Sequence, residues 1–226
     1  MTCASVLNWV TSISTAVAVL VALGGYGFLE WQRRQGLKLA RRTSAHMVGI
    51  RLFRTLNHSS DFARHFDKYP PRDGPQNVKH LLPEVHPLVG VTLDPMVRLD
   101  SNEIVSLIEA GEAGFLSEVM LAASVYEAIV VSLNEYRERY EALYRMIPAP
   151  ASMDGKIGSH KLSSQEFLKV KPYSIQLFDL IEELRSMTSE NITRCKKLST
   201  QYHPMMKKRF KGEKFISFVE PVTPVS

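Results

Sequence analysis

At 226 residues, with 45% hydrophobic and 23% charged positions, the chain is too apolar for a disordered segment and long enough for one domain with an appendage. Two cysteines, Cys3 and Cys195, exclude a disulfide scaffold and a cysteine-rich zinc site. The net charge of +5 matters less than its layout: residues 32–68 carry nine Lys/Arg against two Asp, residues 100–147 nine Asp/Glu against three Arg, and residues 204–226 five basic against two acidic residues.

Residues 9–29 hold no charge, which matches the ~20 residues a helix needs to cross a bilayer core. Trp9 at one end and Tyr26 and Trp31 at the other stand where interfacial aromatic anchors belong. Arg33, Arg34, Lys38, Arg41 and Arg42 follow at once, so the positive-inside rule predicts the amino terminus outside and the rest in the cytoplasm. A cleaved signal peptide would want its basic residues before the apolar run, and arginines just after it oppose translocation. The expectation is therefore a single-pass anchor in the cell membrane over residues 1–31. Within it Ser14, Ala18 and Ala22, four apart, form a small-residue stripe that favours close helix approach and self-association.

The helix is expected to continue over residues 32–69. Ala45, Gly49, Leu52, Leu56, Ser59, Ala63 and Phe66 step by four and three, the spacing of one face held against a neighbour. Pro70 and Pro71 end it. Residues 70–99 are rich in proline and apolar side chains, and read as a loop folded on the bundle with a short strand at 89–93.

Asp100 and Glu103 form a capping box that opens a helix over 101–147. Phe115, Val119, Ala122, Tyr126, Ile129, Leu133, Tyr136, Tyr140, Leu143 and Ile147 alternate steps of four and three without a fault. One extra step of four before Val119 reads as a stutter. Glu118 and Glu127 argue for a buried bundle helix over a second span, since each charge is expensive in lipid. The acidic stretch is expected to lie beside the basic first helix.

Pro148, Pro150, Gly155 and Gly158 mark a flexible connection, and Ser163 with Glu166 caps a third helix over 164–203. Its seam is Leu177, Ile181, Leu184, Thr188, Asn191, Cys195, Leu198 and Tyr202, in which a lone core Asn fixes register at a cost in stability. His203-Pro204 is expected to stop it. Residues 204–226 form a basic-aromatic tail, with Lys207, Lys208, Arg209, Lys211 and Lys214 and a strand at 214–219.

The fold class that follows is mainly α. One transmembrane helix continues into an antiparallel three-helix coiled-coil bundle over 32–203, with a proline-rich loop and one or two short strands. In that order the first helix leaves the bilayer, the second returns and the third leaves again, which puts the basic tail far from lipid.

His58, Asp61 and His65 share a helix face at metal-ligand spacing, but a metal needs further ligands and a second shell, so three solvated side chains are the favoured reading. The seam tyrosines read as core, and Cys195 as a small buried hydrophobe. Neither HExxH, GxSxG nor a phosphate-cradling loop occurs. The sequence thus predicts no catalytic site and no cofactor. It points to a membrane-anchored interaction or scaffold protein that self-associates or meets another membrane or cytoplasmic protein. A membrane-acting effector or channel-like signalling protein is the alternative, and a tethered nucleic-acid binder using the basic tail a further one.

Overall fold

The computed structural model describes residues 3–69, 82–109, 111–147, 152–154, 157–159, 162–210 and 215, with backbone alone for 3–19, 152–154 and 157–159. Among the described residues there are four α-helices: α1 (Cys3–Asp67), α2 (Ser101–Glu109), α3 (Ala113–Met146) and α4 (Ser164–Arg209). A 3-10 turn, Pro95–Val97, precedes α2, and a small hairpin of β1 (Ser152–Asp154) and β2 (Ile157–Ser159) joins α3 to α4. The expected strand at 89–93 is absent: residues 89 and 90 form a bend, with Gly90 at φ 75°, and 91–93 pair with no strand among the described residues. Strand pairing instead forms between 152–154 and 157–159, where Asp154 is paired with Ile157. The strand expected at 214–219 lies outside the described residues, apart from Phe215.

The apolar seams predict burial well. All eight seam positions of α4 from Leu177 to Tyr202 are buried, and α3 buries Phe115 through Tyr136 on the same spacing. On α3 a second row, Leu116, Ala123 and Val130, is buried too, because this helix faces two neighbours and needs a wider apolar face than a two-helix seam. Each fully buried Leu contributes on the order of 1.5–3 kcal/mol by burial. Among the residues whose side chains are described, which leave out 3–19 of α1, α3 is the one helix whose length and composition would allow it to cross a membrane. Its apolar rows are taken up by α1 and α4.

Two apolar cores result. One joins Ala45, Val48 and Leu52 of α1 to Phe115, Val119, Cys195 and Tyr202; the other joins Phe62 and Phe66 to Tyr126, Leu133, Leu177 and Leu184. Between them lies a buried polar layer of Thr55, Ser59, Thr188 and Asn191. The Asn191 amide donates to Ser59 Oγ at 3.1 Å, which ties the register of α4 to that of α1.

Three expectations about the helices are corrected. The helix over 101–147 is broken into α2 and α3. Gly111, at φ 76°, takes the left-handed conformation; its N–H donates to Ile108 O (2.9 Å) and that of Glu112 to Leu107 O (3.0 Å), the two bonds of a Schellman stop. What reads in sequence as a stutter is a helix end. Second, α4 does not stop before Pro204 but runs to Arg209. Core burial of Met206 and the bond from Tyr202 Oη to Ala45 O (2.9 Å) hold its last turns against the missing proline N–H.

Third, the helix order differs. Tyr202 meets Ala45, Asn191 meets Ser59 and Arg185 bonds Tyr69 O, so α4 runs antiparallel to α1. Tyr126 stacks on Phe62, while Phe115 shares a core with Ala45 and Leu52, so α3 runs parallel to α1. The chain returns through residues 82–99 instead. Val85 O accepts from Tyr136 Oη at 2.6 Å, Val91 O lies 3.4 Å from the Asn134 amide, Asp94 meets His58, and Met96 O accepts from Arg51. An extended, proline-rich strap spans more length per residue than a helix, which lets it retrace the bundle and start α3 again from the amino-terminal side.

Candidate functional site: the strap knots and the amino-terminal end of the bundle

Arginine side chains of α1 hold the strap and α2 in place. Arg51 is buried and pairs through Nε with the fully buried Glu103 carboxylate (2.7 Å), while its Nη1 donates to Met96 O (3.2 Å) and its Nη2 lies 3.7 Å from Asp100. Glu103 closes the capping box as well: its amide donates to Asp100 Oδ1 and its carboxylate accepts from the Asp100 amide, both at 2.9 Å. One carboxylate therefore starts α2 and fastens it to α1.

A second knot centres on Asp94. Its Oδ2 meets His58 Nε2 at 3.0 Å and Arg54 Nε at 2.8 Å, and its Oδ1 accepts the Met96 amide at 2.9 Å, which starts the 3-10 turn. The Tyr126 ring stacks on His58, and its Oη accepts the Asp94 N–H at 3.3 Å. Burial pushes the Asp94 carboxyl upward, but the His58 hydrogen bond, the Met96 amide and the Arg54 charge outweigh it and hold the group below the usual carboxylate range.

The residues singled out in the sequence separate here. His58 goes to Asp94, Asp61 to Arg64, and His65 Nε2 to His86 O at 2.8 Å. They form no joint site, and the two half-exposed histidines both contact the strap, which runs along the face of α1 they share. Among the described residues no three His, Cys, Asp or Glu side chains converge as a metal site. Cys195 is fully buried, and burial pushes its thiol up to about 12, so it is no nucleophile at neutral pH. Burial likewise raises Tyr126, Tyr136 and Tyr202 above the usual phenol range. Phe115, Tyr126, Ile129, Leu133, Leu184 and Asn191 all lie in the buried interior.

Opposite charges meet as the layout predicts, but at α2 and the strap more than along α3. Arg41 pairs with Glu109 (2.7 Å) and Arg51 with Glu103, while Glu127 takes Arg98 of the strap (Nη2 to Oε2, 2.9 Å) and Glu118 takes Arg194 (3.5 Å). The Arg98 hydrogen bond draws the Glu127 carboxyl down, against a smaller upward push from burial.

Beyond the bundle α1 continues as one helix. From Leu20 to Trp31 its large apolar side chains are between 56% and 72% exposed, Tyr26 the most, and Ala22, Arg33 and Arg34 are exposed with them. The side chains of Trp9, Ser14 and Ala18 lie outside the described residues, as do Lys211 and Lys214. Lys207, Lys208 and Arg209 occupy the exposed last turn of α4. Past that turn Phe215 is buried, stacked on His46 at 4.6 Å and edge-on to Tyr202. Phe215 thus lies against the amino-terminal end of the bundle, a placement the sequence analysis did not anticipate.

A pocket of about 420 Å³ opens between the start of α3 and α4, lined by Glu112, Phe115, Glu118, Arg194, Lys197 and Met205 among others. Its charges are of both signs and two of them already pair across it, so it shows no preference for one ligand charge. Comparison with known proteins finds no matching family model, no matching curated protein and no matching solved structure.

Proposed function

We propose that the protein is a membrane-anchored helical interaction module, in which α1 both spans the bilayer and supplies one helix of a cytoplasmic bundle. One observation carries this reading: α1 runs on without a break from a buried bundle helix into a stretch, Leu20 to Trp31, whose large apolar side chains are exposed, with five basic residues at the junction. In water such a stretch leaves a large continuous apolar surface exposed; in lipid it is the solvated state. The basic junction sets the amino terminus outside and the bundle in the cytoplasm of the cell. Ser14, Ala18 and Ala22 supply a face for self-association of the span.

The test is topology. In cells expressing the full chain, the protein should resist alkaline extraction, and a thiol reagent that cannot cross the membrane should modify Cys3 from outside. Release into the alkaline supernatant would remove the anchor; modification of Cys3 only after permeabilisation would reverse the orientation. Crosslinking in membranes should give a dimer or higher species that is lost in Ala18→Leu.

A second reading, a signalling device whose bundle switches between two arrangements, is favoured by the polar layer. Among the described residues the buried Thr188 hydroxyl and Asn191 Oδ1 have no hydrogen-bond partner, which leaves room for an alternative arrangement that satisfies them. Ion leakage on expression, abolished by Asn191→Leu, would support it, and an unchanged membrane potential at high expression would remove it.

A further inference from the structure

The observed helix order brings two basic segments, distant in sequence, to one end of the molecule. α1 supplies Arg33, Arg34, Lys38, Arg41 and Arg42; the last turn of α4 supplies Lys207, Lys208 and Arg209. Their proximity follows from several contacts. Tyr202 Oη donates to Ala45 O at 2.9 Å, Arg41, Ser44, Met206 and Arg209 line one small cleft, and Phe215 stacks on His46. Acidic side chains at this end neutralise part of the charge: Arg34 pairs with Glu30, Arg41 with Glu109 and Arg209 with Glu112. A positive excess remains, and the four cations Arg33, Lys38, Lys207 and Lys208 are all exposed.

We propose that these residues form one collar that binds anionic phospholipid headgroups and seats the end of the bundle on the bilayer. The proposal rests on the anchor reading and deepens it by naming the lipid class. Position carries it. The collar starts directly after the exposed apolar stretch of α1, and Arg41 lies only about 15 Å along the helix from Trp31. A headgroup layer of roughly 5–7 Å, the length of the side chains and a Debye length of about 8 Å together cover that distance. Cations so placed attract anionic lipid, and the attraction falls away with salt. A nucleic acid would face the same charges, but it would have to lie against the bilayer from which α1 emerges, so lipid is the better fit.

The test uses the full chain with Cys3→Ser and a donor dye on Gln201→Cys, an exposed position near the end of α4; the buried Cys195 stays unlabelled. The protein is reconstituted into vesicles of phosphatidylcholine, or of phosphatidylcholine with phosphatidylserine, carrying an acceptor on the headgroups. Energy transfer should be higher in the phosphatidylserine vesicles. It should fall to the phosphatidylcholine level at high salt, and in the combined variant Arg33→Gln, Lys38→Gln, Lys207→Gln, Lys208→Gln. An unchanged far-UV spectrum and melting temperature show that the variant is folded. Equal transfer in both vesicles overturns the collar, as does binding to DNA without any dependence on lipid charge. Alkaline extraction separates the two readings. Protein that resists extraction but shows equal transfer keeps the anchor and loses the collar. Protein that is extracted yet floats with phosphatidylserine vesicles only at low salt keeps the collar and loses the anchor; in that case the variant's flotation should weaken by at least ~10-fold.

Discussion

Gly49 is the position where a single atom decides how closely two helices approach. A Cβ there would lie 2.5 Å from the Tyr202 hydroxyl and 2.6 Å from its ring, while Tyr202 is itself fixed by its bond to Ala45 O. Gly49→Ala should therefore lower stability by about 1–3 kcal/mol despite the better helix propensity of alanine, as a thermal melt would show. An unchanged melting temperature would mean that Tyr202 has another place to go. Asp94 makes a prediction in pH. Its carboxyl is held below the ordinary 3.8, so its contribution is present above that value and is lost as pH falls through the lower folded value. Asp94→Asn should cost about 1–3 kcal/mol at neutral pH, and the gap to the parent should close in acid. The seam spacing identified Cys195 and Asn191 as buried, since burial on a helix is a matter of period. Asp94 could not be identified that way, because its partners Arg54, His58 and Tyr126 come together only through the course of the strap.

At the scale of elements, α2 depends on one buried ion pair. Breaking a buried pair by removing one partner costs on the order of 3–5 kcal/mol, because it strands the other charge. Glu103→Gln should fall near the lower end of that range, since a hydrogen bond to Arg51 can survive. It should loosen α2 and the strap together, as faster amide exchange over residues 94–109. Exchange that rises in α2 alone would separate the two. In the polar layer the sign is opposite: Thr188→Val removes a buried hydroxyl that has no partner among the described residues and should stabilise the bundle by about 1 kcal/mol, read from a denaturant titration. The capping boxes at Asp100–Glu103 and Ser163–Glu166 were legible because each motif is local and its chemistry complete within four residues. The ends at Gly111 and Arg209 were not. A glycine inside a seam is ambiguous until its φ is known, and Pro204 is carried by tertiary contacts of Tyr202 and Met206 that no local rule contains.

At the scale of the molecule, the same three seams are compatible with two helix orders. Heptad spacing says which face is buried but not the direction of the neighbour, and short connections favour antiparallel neighbours. The connection here is long. Residues 82–99 run back along the bundle, held by Tyr136, Asn134, His58 and Arg51, and this makes α3 parallel to α1 and returns the end of α4 to the amino-terminal side. The charge layout hinted at the pairing without locating it, because the acidic stretch is divided between α2 and α3 by the stop at Gly111. The consequence for the proposed function is a reversal of distances. The hairpin at Ser152–Asp154 belongs to the far end of the bundle, and the basic turn of α4 to the end from which the exposed part of α1 emerges. The most direct measurement compares the distance from the bilayer surface of a label at Met153 with one at Gln201 in the reconstituted full chain, read by quenching from the headgroups. The label at Gln201 should be the nearer by roughly 50 Å of helix, with strong quenching there and little at Met153. Strong quenching at Met153 with little at Gln201 would contradict the helix order and, with it, the account of how the bundle stands on the membrane.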